Sequence, residues 1–330
     1  MTKTFHITHA LAWLTTTTVA LTLAASSAFA QDYPSRPIRV IVPYAAGGLP
    51  DQVIRRIAPR IEKELGQSLV VDNKPGANGV VAAQQLLSAP ADGYTVIFSD
   101  AAFMSITPLV MKNPPYNPTR DFLPVTLAAS APNFLAVHPS VPVKNLSEFI
   151  TYVKQNPGKM TCGSSGVGTL HHLSLEAMRH SLSLELIHVP FRGSGQSVPA
   201  MVGGQTQCTL AALPSLVGHA QAGKARILAI AATKASPLLP EAEAMFSGQQ
   251  GGADFSFLLG IVARQGTSTA VVNRLTNAVK VAVEDADNVA AMRKMGVKPE
   301  GLAADGYAAA LRTDAEELAR VARLANIQAE

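Results

Sequence analysis

Short runs of apolar, β-branched residues alternate along this chain with segments of helical periodicity. Strands separated by helices are characteristic of an α/β fold with mainly parallel sheets. The sequence therefore predicts fold class α/β. The candidate strands are 38–43, 68–72, 94–98, 125–137, 160–162, 184–189, 207–212, 226–232 and 256–263.

The strand 38–43 leads through a turn of small residues into an amphipathic helix. This helix is predicted to begin at Leu49 or Pro50, because Pro suits the first helical position and Asp51 suits the first turn. Free backbone N–H groups at such an end can bind an anion. Any β-turn-α unit contains this arrangement, so the loop alone leaves open whether it binds a ligand. Neither the dinucleotide pattern G-x-G-x-x-G nor a P-loop occurs here.

The first 30 residues have the pattern of an export signal. Lys3 is followed by an apolar segment, 10–23, and by an Ala-Phe-Ala cleavage motif that ends at Ala30. The apolar segment is shorter than the ~20 residues that a membrane-spanning helix needs. We expect cleavage after Ala30 and a product outside the cytoplasm that begins at Gln31, without a cysteine for a lipid anchor.

Composition limits the classes of function. About 300 residues remain after the signal, enough for two domains with their own cores. The net charge is only +4, basic residues are scattered, and aromatic residues make up 5% of the chain. These values give no support for nucleic acid binding.

The two cysteines, Cys162 and Cys208, each lie in a short apolar run. A location outside the cytoplasm permits a disulfide, but two small buried cysteines are the simpler interpretation, and pairing stays open. No second Cys or His lies at ligand spacing from either one, so neither a metal site nor a cofactor is expected.

A second α/β unit repeats the pattern of the first. The helix 146–154 and the turn 156–159 lead to a strand that ends at Cys162, and the Gly- and Ser-rich loop 163–169 follows. Two such loops facing each other across a hinge would enclose a small anion between two helix N-termini. An exported hydrolase is the rival class, but its G-x-S-x-G motif is missing because position 167 is Val.

Several segments, in order over nearly all of the chain after residue 30, resemble the Bug family of periplasmic receptors of tripartite tricarboxylate transporters. The resemblance implies a type II periplasmic binding protein, with two doubly wound α/β domains joined by two crossing strands and a ligand cleft between them. It also implies capture of a small carboxylate and delivery to membrane permease subunits by a monomeric receptor. The segments are YPSRPIRVIVPYAAGGLPD, LVVDNKPGANG, APADGYTV, RDFLPVTLAASAPNFLAVHPSVP, CGSSGVGTLHHL, HVPFRGSG, MVGGQ and QAGKARILAIAAT.

The same resemblance implies which residues contact the ligand. On the first domain they are Pro43, Tyr44, Ala45, Ala46, Gly47, Gly48, Leu49, Asp51, Ser99 and Asp100. On a crossing strand they are Pro132 and Asn133. On the second domain they are Ser164, Ser165, Gly166, Gly168, Thr169, Phe191, Arg192, Gly193 and Ser194.

Four features bear on the substrate. Leu49-Pro50 replaces a hydroxyl-bearing pair that is usual in the family, and 208–213 lacks an acid that could pair with an amino group. Both departures favour a di-, tri- or aromatic carboxylate over an amino acid. Arg192 can grip a carboxylate with two parallel hydrogen bonds or point into solvent. Of His171 and His172, one is expected in the pocket and the other at the helix end or in solvent.

The predicted domains are 31–130 plus 255–330, which is discontinuous, and 131–254. Three C-terminal segments are expected to form helices that pack on the first domain. They are 269–285, 286–295 and 305–327. We expect hinge closure between the domains to trap the ligand. A receptor that presents the same ligand to a sensor kinase would use the same pocket, and the sequence does not separate these two roles.

Overall fold

The computed structural model describes residues 33–100, 102–236, 239–248 and 253–324. Arg36–Glu330 forms one compact unit. The predicted export signal, 1–30, lies outside the described residues. None of the described helices is both long enough and apolar enough to cross a membrane.

Eleven strands are present within the described ranges. They are β1 (Ile38–Val42), β2 (Leu69–Asn73), β3 (Thr95–Ser99), β4 (Phe122–Val137), β5 (Thr161–Ser164), β6 (Ile187–Pro190), β7 (Cys208–Ala212), β8 (Arg226–Ile230), β9 (Glu243–Ala244), β10 (Ser256–Arg264) and β11 (Lys298–Ala303).

Helices connect most of these strands, as the alternation in the sequence predicts. They are α1 (Leu49–Leu65), α2 (Val80–Ser88), α3 (Ala102–Ser105), α4 (Thr107–Val110), α5 (Pro118–Asp121), α6 (Leu146–Gln155), α7 (Leu170–Ser181), α8 (Ser194–Val202), α9 (Leu213–Gln221), α10 (Thr269–Glu284), α11 (Ala286–Lys294) and α12 (Ala304–Leu324).

The main path of the sheet runs β2-β1-β3-β10-β4-β7-β5-β6. Strand β1 pairs in parallel with β2 and β3, and β5 pairs in parallel with β6 and β7. We call β1, β2, β3, β10 and β11 with their helices the first half, and β5 to β9 with theirs the second half. Parallel pairing within each half brings the loops that follow these strands to a common edge.

Strand β4 connects the two halves. Its residues 122–132 pair with β10, and its residues 133–137 pair with β7 and β8. Strand β10 returns beside β4, and just before it the Phe255 carbonyl accepts a hydrogen bond from the Asn133 N–H at 3.1 Å. The sequence predicts both crossings, although β4 begins at Phe122 and so extends three residues further back than the predicted 125–137.

Helix α1 shows why these residues form these elements. Val53, Ile54 and Ile57 lie on one face and have no exposed surface, which contributes about 1.5–3 kcal/mol each. Gly48 is the N-cap residue and Gly66, with a φ of +71°, ends the helix. The helix begins at Leu49, so the predicted start is confirmed.

Some elements differ from the sequence prediction. Strands β9 and β11 were not expected, because β9 has only two residues and β11 contains a Pro and a Gly with few apolar side chains. The short helices α3, α4 and α5 were also missed. Helix α12 is described to Leu324, and the predicted end at Ile327 lies outside the described residues.

Cys162 and Cys208 form a disulfide. They are direct partners in the β5–β7 ladder, with a Cα–Cα distance of 4.5 Å, and neither is exposed. The simpler interpretation from the sequence, two unpaired buried cysteines, is therefore wrong. The pairing depends on strand register, which the sequence does not show.

Candidate functional site

Two adjoining cavities lie between the two halves, at the ends of the parallel strands. The outer cavity has a volume of about 460 Å³. The inner cavity is a narrow space of about 20 Å³. The outer one is lined by Pro43, Tyr44, Pro75, Gly76, Ala77, Asn78, Ser165, Gly166, Val167, Thr169, Phe191 and Arg192. The inner one is lined by Tyr44, Ala45, Gly48, Leu49, Pro50, Asp100, Ser165, His171, Gly193, Ser194, Gly195 and Phe257.

The loop between β1 and α1 is held by its own hydrogen bonds. The Gly47 N–H donates to Asp51 Oδ2 at 2.9 Å, and Asp51 Oδ1 accepts from Arg55 and from Asn73. The Gly48 N–H donates to the Ala45 carbonyl at 3.2 Å. Gly47 has a φ of +82°, a conformation that suits glycine. Asp51 and Gly47 thus shape the loop and line neither cavity.

Other donors of this loop stay available to a ligand. No described residue accepts a hydrogen bond from the N–H of Ala45 or Ala46. Gly48 and Leu49, at the N-terminus of α1, border the inner cavity. The positive end of the helix dipole therefore faces this space.

Asp100 follows β3 and is held by Tyr44. The Tyr44 hydroxyl donates to both carboxylate oxygens, at 2.8 and 2.9 Å, and the Ala102 N–H donates to Oδ1 at 3.2 Å. Burial outweighs these hydrogen bonds and raises the pKa of Asp100 to about 6. Burial and then the charge of Asp100 raise the pKa of the Tyr44 hydroxyl well above its usual value.

The loop between β5 and α7 is also rigidly held. Ser164 Oγ lies 2.6 Å from His188 Nε2, and the Gly166 N–H donates to Ser164 Oγ at 3.1 Å. Thr169 caps α7, with its Oγ1 accepting from the His172 N–H at 3.3 Å. The Ser164 side chain is fully buried and lines neither cavity, so this Ser–His pair anchors the loop and does not present a nucleophile.

His172 and His188 stack beneath this loop, with ring centroids 4.5 Å apart. Burial, with smaller contributions from the charges of His172 and Arg179, lowers the pKa of His188 to about 4. His172 Nδ1 accepts from the Gly168 N–H at 3.2 Å. Among the described residues no group of His, Cys, Asp and Glu could hold a metal ion.

Two buried polar atoms border the inner cavity without a hydrogen-bond partner. They are Ser165 Oγ and His171 Nε2, and each residue is only 7% exposed. Burial lowers the pKa of His171 to about 3, so its ring is neutral at physiological pH. The ring packs against Phe257, with centroids 5.0 Å apart. Unpartnered polar atoms of this kind are costly unless a ligand or water satisfies them.

The N-terminus of α8 completes the inner cavity from the second half. Gly193, Ser194 and Gly195 border the space opposite the N-terminus of α1. A Cβ on Gly195 would lie 3.7 Å from the Ala46 carbonyl oxygen, so the two loops are in contact. Two helix N-termini thus converge on one space. The sequence predicts two such termini, but it assigns the second to the helix after the loop 163–169, which is α7, and not to α8.

Arg192 is exposed and borders the outer cavity. Its backbone N–H donates to Gln196 Oε1 at 3.2 Å. In the part of the chain that the structure describes, its guanidinium pairs with no acid. Arg192 is therefore positioned to meet an anion at the mouth of the site.

Thirteen of the predicted ligand residues border one or both cavities. They are Pro43, Tyr44, Ala45, Gly48, Leu49, Asp100, Ser165, Gly166, Thr169, Phe191, Arg192, Gly193 and Ser194. The remaining predicted residues line neither cavity, and their contact with ligand stays a prediction. They are Ala46, Gly47, Asp51, Ser99, Pro132, Asn133, Ser164 and Gly168.

Three of these residues lie inside the sheet. Ser99 is 1% exposed and faces Gly260 in the β3–β10 ladder. Asn133 is fully buried, and its Nδ2 donates to Ser174 Oγ at 2.7 Å. Pro132 pairs with Ser256 on β10. They support the crossing strands from behind the cavities.

Four cavity-lining residues that the sequence prediction of the site did not include come from the loop after β2. Pro75, Gly76, Ala77 and Asn78 border the outer cavity. The turn-rich stretch was evident in the sequence, and its place after a parallel strand is the signal that could have identified it. The others are Pro50, Val167, Gly195 and Phe257. Of the two histidines, one of which is expected in the pocket, His171 borders the inner cavity.

The family model described as "Tripartite tricarboxylate transporter family receptor" matches residues 53–327. This chain belongs to that receptor family. The prediction of the Bug-type receptor family from the sequence is confirmed. Membership also places the receptor among solute-binding proteins of the periplasm and not among enzymes, so the hydrolase alternative is wrong.

Individual members of the family resemble the receptor over most of its length. A UPF0065 protein of Bordetella pertussis is 33% identical over 282 residues, which are 86% of this chain and 87% of that protein. A solved structure of Rpa4515 from R. palustris with adipate has a TM-score of 0.86 and 30% identity, covering 91% of this chain and 100% of the other.

A second solved structure is MatC from Rhodopseudomonas palustris with bound malate. It has a TM-score of 0.77 and 28% identity, covering 89% of this chain and 100% of the other. These likenesses confirm the predicted α/β fold of the periplasmic binding protein type for the receptor.

Proposed function

We propose that this receptor captures a small carboxylate between its two halves and delivers it to the permease subunits of a tripartite tricarboxylate transporter. The family supplies the receptor role and the transporter partner. The site supports a carboxylate as the ligand. Its two converging helix N-termini, its free loop N–H groups and Arg192 form a surface of hydrogen-bond donors.

The observation that carries this proposal is the pair of unpartnered atoms at the inner cavity. Ser165 Oγ and His171 Nε2 are buried, lack partners among the described residues, and border the same space as the N-termini of α1 and α8. A carboxylate oxygen there would accept from the Ser165 hydroxyl and from backbone N–H groups. Each charge-assisted hydrogen bond contributes about 1.5–3 kcal/mol.

The ligand class that fits is a di-, tri- or aromatic carboxylate. The outer cavity, at about 460 Å³, has room for a chain or ring beyond the first carboxylate. Its walls combine the apolar surfaces of Pro43, Pro75 and Phe191 with Arg192 at the mouth. The adipate and malate bound to the two R. palustris relatives support this class.

Binding proceeds by closure of the two halves about the crossing strands β4 and β10. The open form presents the loop 43–51 to the ligand, and the second half then adds the loops 164–169 and 191–194. Contacts made only in the closed form shift the population towards it. The permease recognises that closed form.

A thermal-shift screen tests the proposal. The purified protein is heated with succinate, malate, adipate, suberate, citrate, benzoate or nicotinate, and with amino acids for comparison. A carboxylate at ~100 times its dissociation constant adds about 2.7 kcal/mol to the free energy of unfolding. No shift with any of the carboxylates contradicts the proposed function.

Ser165→Ala and Ser147→Ala are the matched variants for this screen. Ser165→Ala removes the inner hydroxyl, and we expect the dissociation constant for the bound carboxylate to rise about 10- to 100-fold. Ser147→Ala makes the same chemical change at an exposed position that borders neither cavity. It is expected to bind like the unmodified protein.

A further inference from the structure

The inner cavity contains an acid as well as donors. Asp100 borders the same space as Ser165 and His171. Among the described residues that line this cavity, none is Lys or Arg. A ligand carboxylate bound at Ser165 would therefore share a space of about 20 Å³ with a protein carboxylate and without a compensating cation.

The groups around Asp100 do not offset a second negative charge. From the loop before α1, Tyr44 donates its hydroxyl to both Asp100 oxygens. From α7, His171 is neutral. From α12, Tyr307 is fully buried with an unpartnered hydroxyl, and Asp314 is a further acid whose pKa the charge of Asp100 helps to raise. Every described titratable group that faces Asp100 is thus neutral or acidic.

Two carboxylates that share one poorly solvated site do not both stay ionised, because each raises the pKa of the other. We propose that Asp100 takes up one proton when a ligand carboxylate binds at Ser165 and His171 in the inner cavity. The proton comes from solvent and attaches to a carboxylate oxygen of Asp100, which then donates a hydrogen bond to the ligand. This inference rests on the proposed function and specifies how that site tolerates its ligand.

The free protein is already poised for this step. The pKa of Asp100 is about 6 without a ligand, so Asp100 is mostly ionised at pH 7.5. A ligand carboxylate raises that pKa further. Since the bound state holds the proton more tightly, affinity falls as pH rises above 6, by up to about tenfold per pH unit until the pKa of the bound form is reached.

Proton uptake also distinguishes a ligand that places a carboxylate group in the inner cavity from one that places an ammonium group there. An ammonium group placed beside Asp100 would stabilise its ionised form, so Asp100, which is already mostly ionised at pH 7.5, would take up no proton on binding. A carboxylate group causes proton uptake. Proton uptake therefore reports which kind of group occupies the inner cavity, and the proposal assigns a carboxylate.

Calorimetric titration in two buffers counts the protons. The protein at pH 7.5 is titrated with succinate, malate, adipate and benzoate in phosphate and in Tris, which differ in ionisation enthalpy. For every acid that shows saturable binding, we expect uptake of about one proton per molecule of ligand bound. Saturable binding with no proton uptake, or with release, overturns the inference but leaves the proposed function standing.

Two variants locate the proton. Asp100→Asn keeps an acceptor for the Tyr44 hydroxyl, and we expect no proton uptake and an affinity that no longer falls between pH 6 and pH 8. Asp92→Asn makes the same change at a residue that pairs with Arg36 and borders neither cavity, and should behave like the unmodified protein. Uptake that persists in Asp100→Asn overturns the assignment to Asp100.

The unmodified protein provides a test that does not depend on the folding of a variant. Its dissociation constant for the same carboxylate is measured from pH 5.5 to pH 8.5. We expect the constant to rise with pH above 6. A dissociation constant that is flat across this range overturns the inference. If none of the four acids binds with saturation, the proposed function is overturned as well.

Discussion

The side-chain amide of Asn78 donates a hydrogen bond to the carbonyl oxygen of Gly168 and thereby connects the two halves across the outer cavity. The same amide donates to Thr107 Oγ1 at 2.9 Å, which fixes it within the first half. A Cβ on Gly168 would lie 2.6 Å from Val110 Cγ2, so this contact requires a glycine there. Under the proposed closure of the two halves, this hydrogen bond stabilises the closed form of the receptor.

Removing this connection should weaken ligand binding. Asn78 has a φ of +50°, so Asn78→Gly deletes the side chain without imposing a strained backbone. We expect the ligand dissociation constant to rise about fivefold to tenfold, mostly through faster release, since one hydrogen bond of the closed form is lost. Stopped-flow measurement of association and release checks this, and an unchanged release rate would contradict the role of Asn78.

Arg192 should contribute directly to affinity. Its guanidinium is exposed at the mouth of the outer cavity and pairs with no described acid, so a ligand carboxylate is its natural partner. We expect Arg192→Ala to weaken binding by about 10- to 100-fold, from ~1.5 to 3 kcal/mol. Isothermal titration measures the change.

Lys159→Ala is the matched control for Arg192→Ala. Lys159 is exposed and borders neither cavity, so its removal lowers the net charge by the same amount without touching the site. Equal weakening by both variants would mean that Arg192 acts only through overall charge.

The Cys162–Cys208 disulfide should stabilise the second half. It closes a loop across a sequence separation of 46 residues, for which chain entropy predicts about 4 kcal/mol. We expect the double variant Cys162→Ala, Cys208→Ala to lose about 2–4 kcal/mol in urea unfolding. Carboxylate affinity at a temperature where it is folded should be unchanged, because neither cysteine borders a cavity. Equal stability of the two proteins would contradict this account.

Asp314 should make the protein less stable at neutral pH than in mild acid. Burial raises its pKa to about 7, although Ser105 donates a hydrogen bond to it. The folded state then holds a proton that the unfolded chain releases, so stability falls as pH rises from about 4 to about 7. The slope is at most ~1.4 kcal/mol per pH unit and is smaller here because the side chain keeps some exposure.

Asp314→Asn isolates this effect from other acids. Asp72 and Asp121 have lowered pKa values, so their contributions to stability increase as pH rises, opposite to that of Asp314. We expect Asp314→Asn to be more stable than the unmodified protein above pH 7 and not at pH 4, as measured by thermal unfolding. Asp305→Asn, at an exposed position of the same helix, should show no such difference. A constant difference at all pH values would contradict the assigned pKa.

Periodicity in the sequence was sufficient to predict the framework. The alternation of strands and helices, the start of α1 at Leu49 and the crossing by β4 and β10 all depend on local patterns of apolar residues and turns. The loops at 43–51 and 164–169 followed from the same reasoning, because each lies between a strand and a helix N-terminus. The resemblance to the receptor family added Phe191 and Arg192.

Other parts of the site depend on contacts that no local pattern contains. The pairing of Cys162 with Cys208 requires the β5–β7 register, and the hydrogen bond from Asn78 to Gly168 requires the two halves to meet. Strand β11 is recognised only by its partner β4, because its own residues are mostly polar or small. The sequence names both His171 and His172 as candidates for the pocket, and only the structure shows that the buried Nε2 of His171 lacks a partner.

The central claim is that a carboxylate binds between the loops of the two halves. Amide hydrogen exchange, with and without the acid that stabilises the protein most, tests it directly. We predict that the acid slows amide exchange in both halves: in the loop 43–51, including Ala45 and Ala46, and in the loops 164–169 and 191–195. Protection confined to one half, or located only outside these loops, would contradict binding in the cleft.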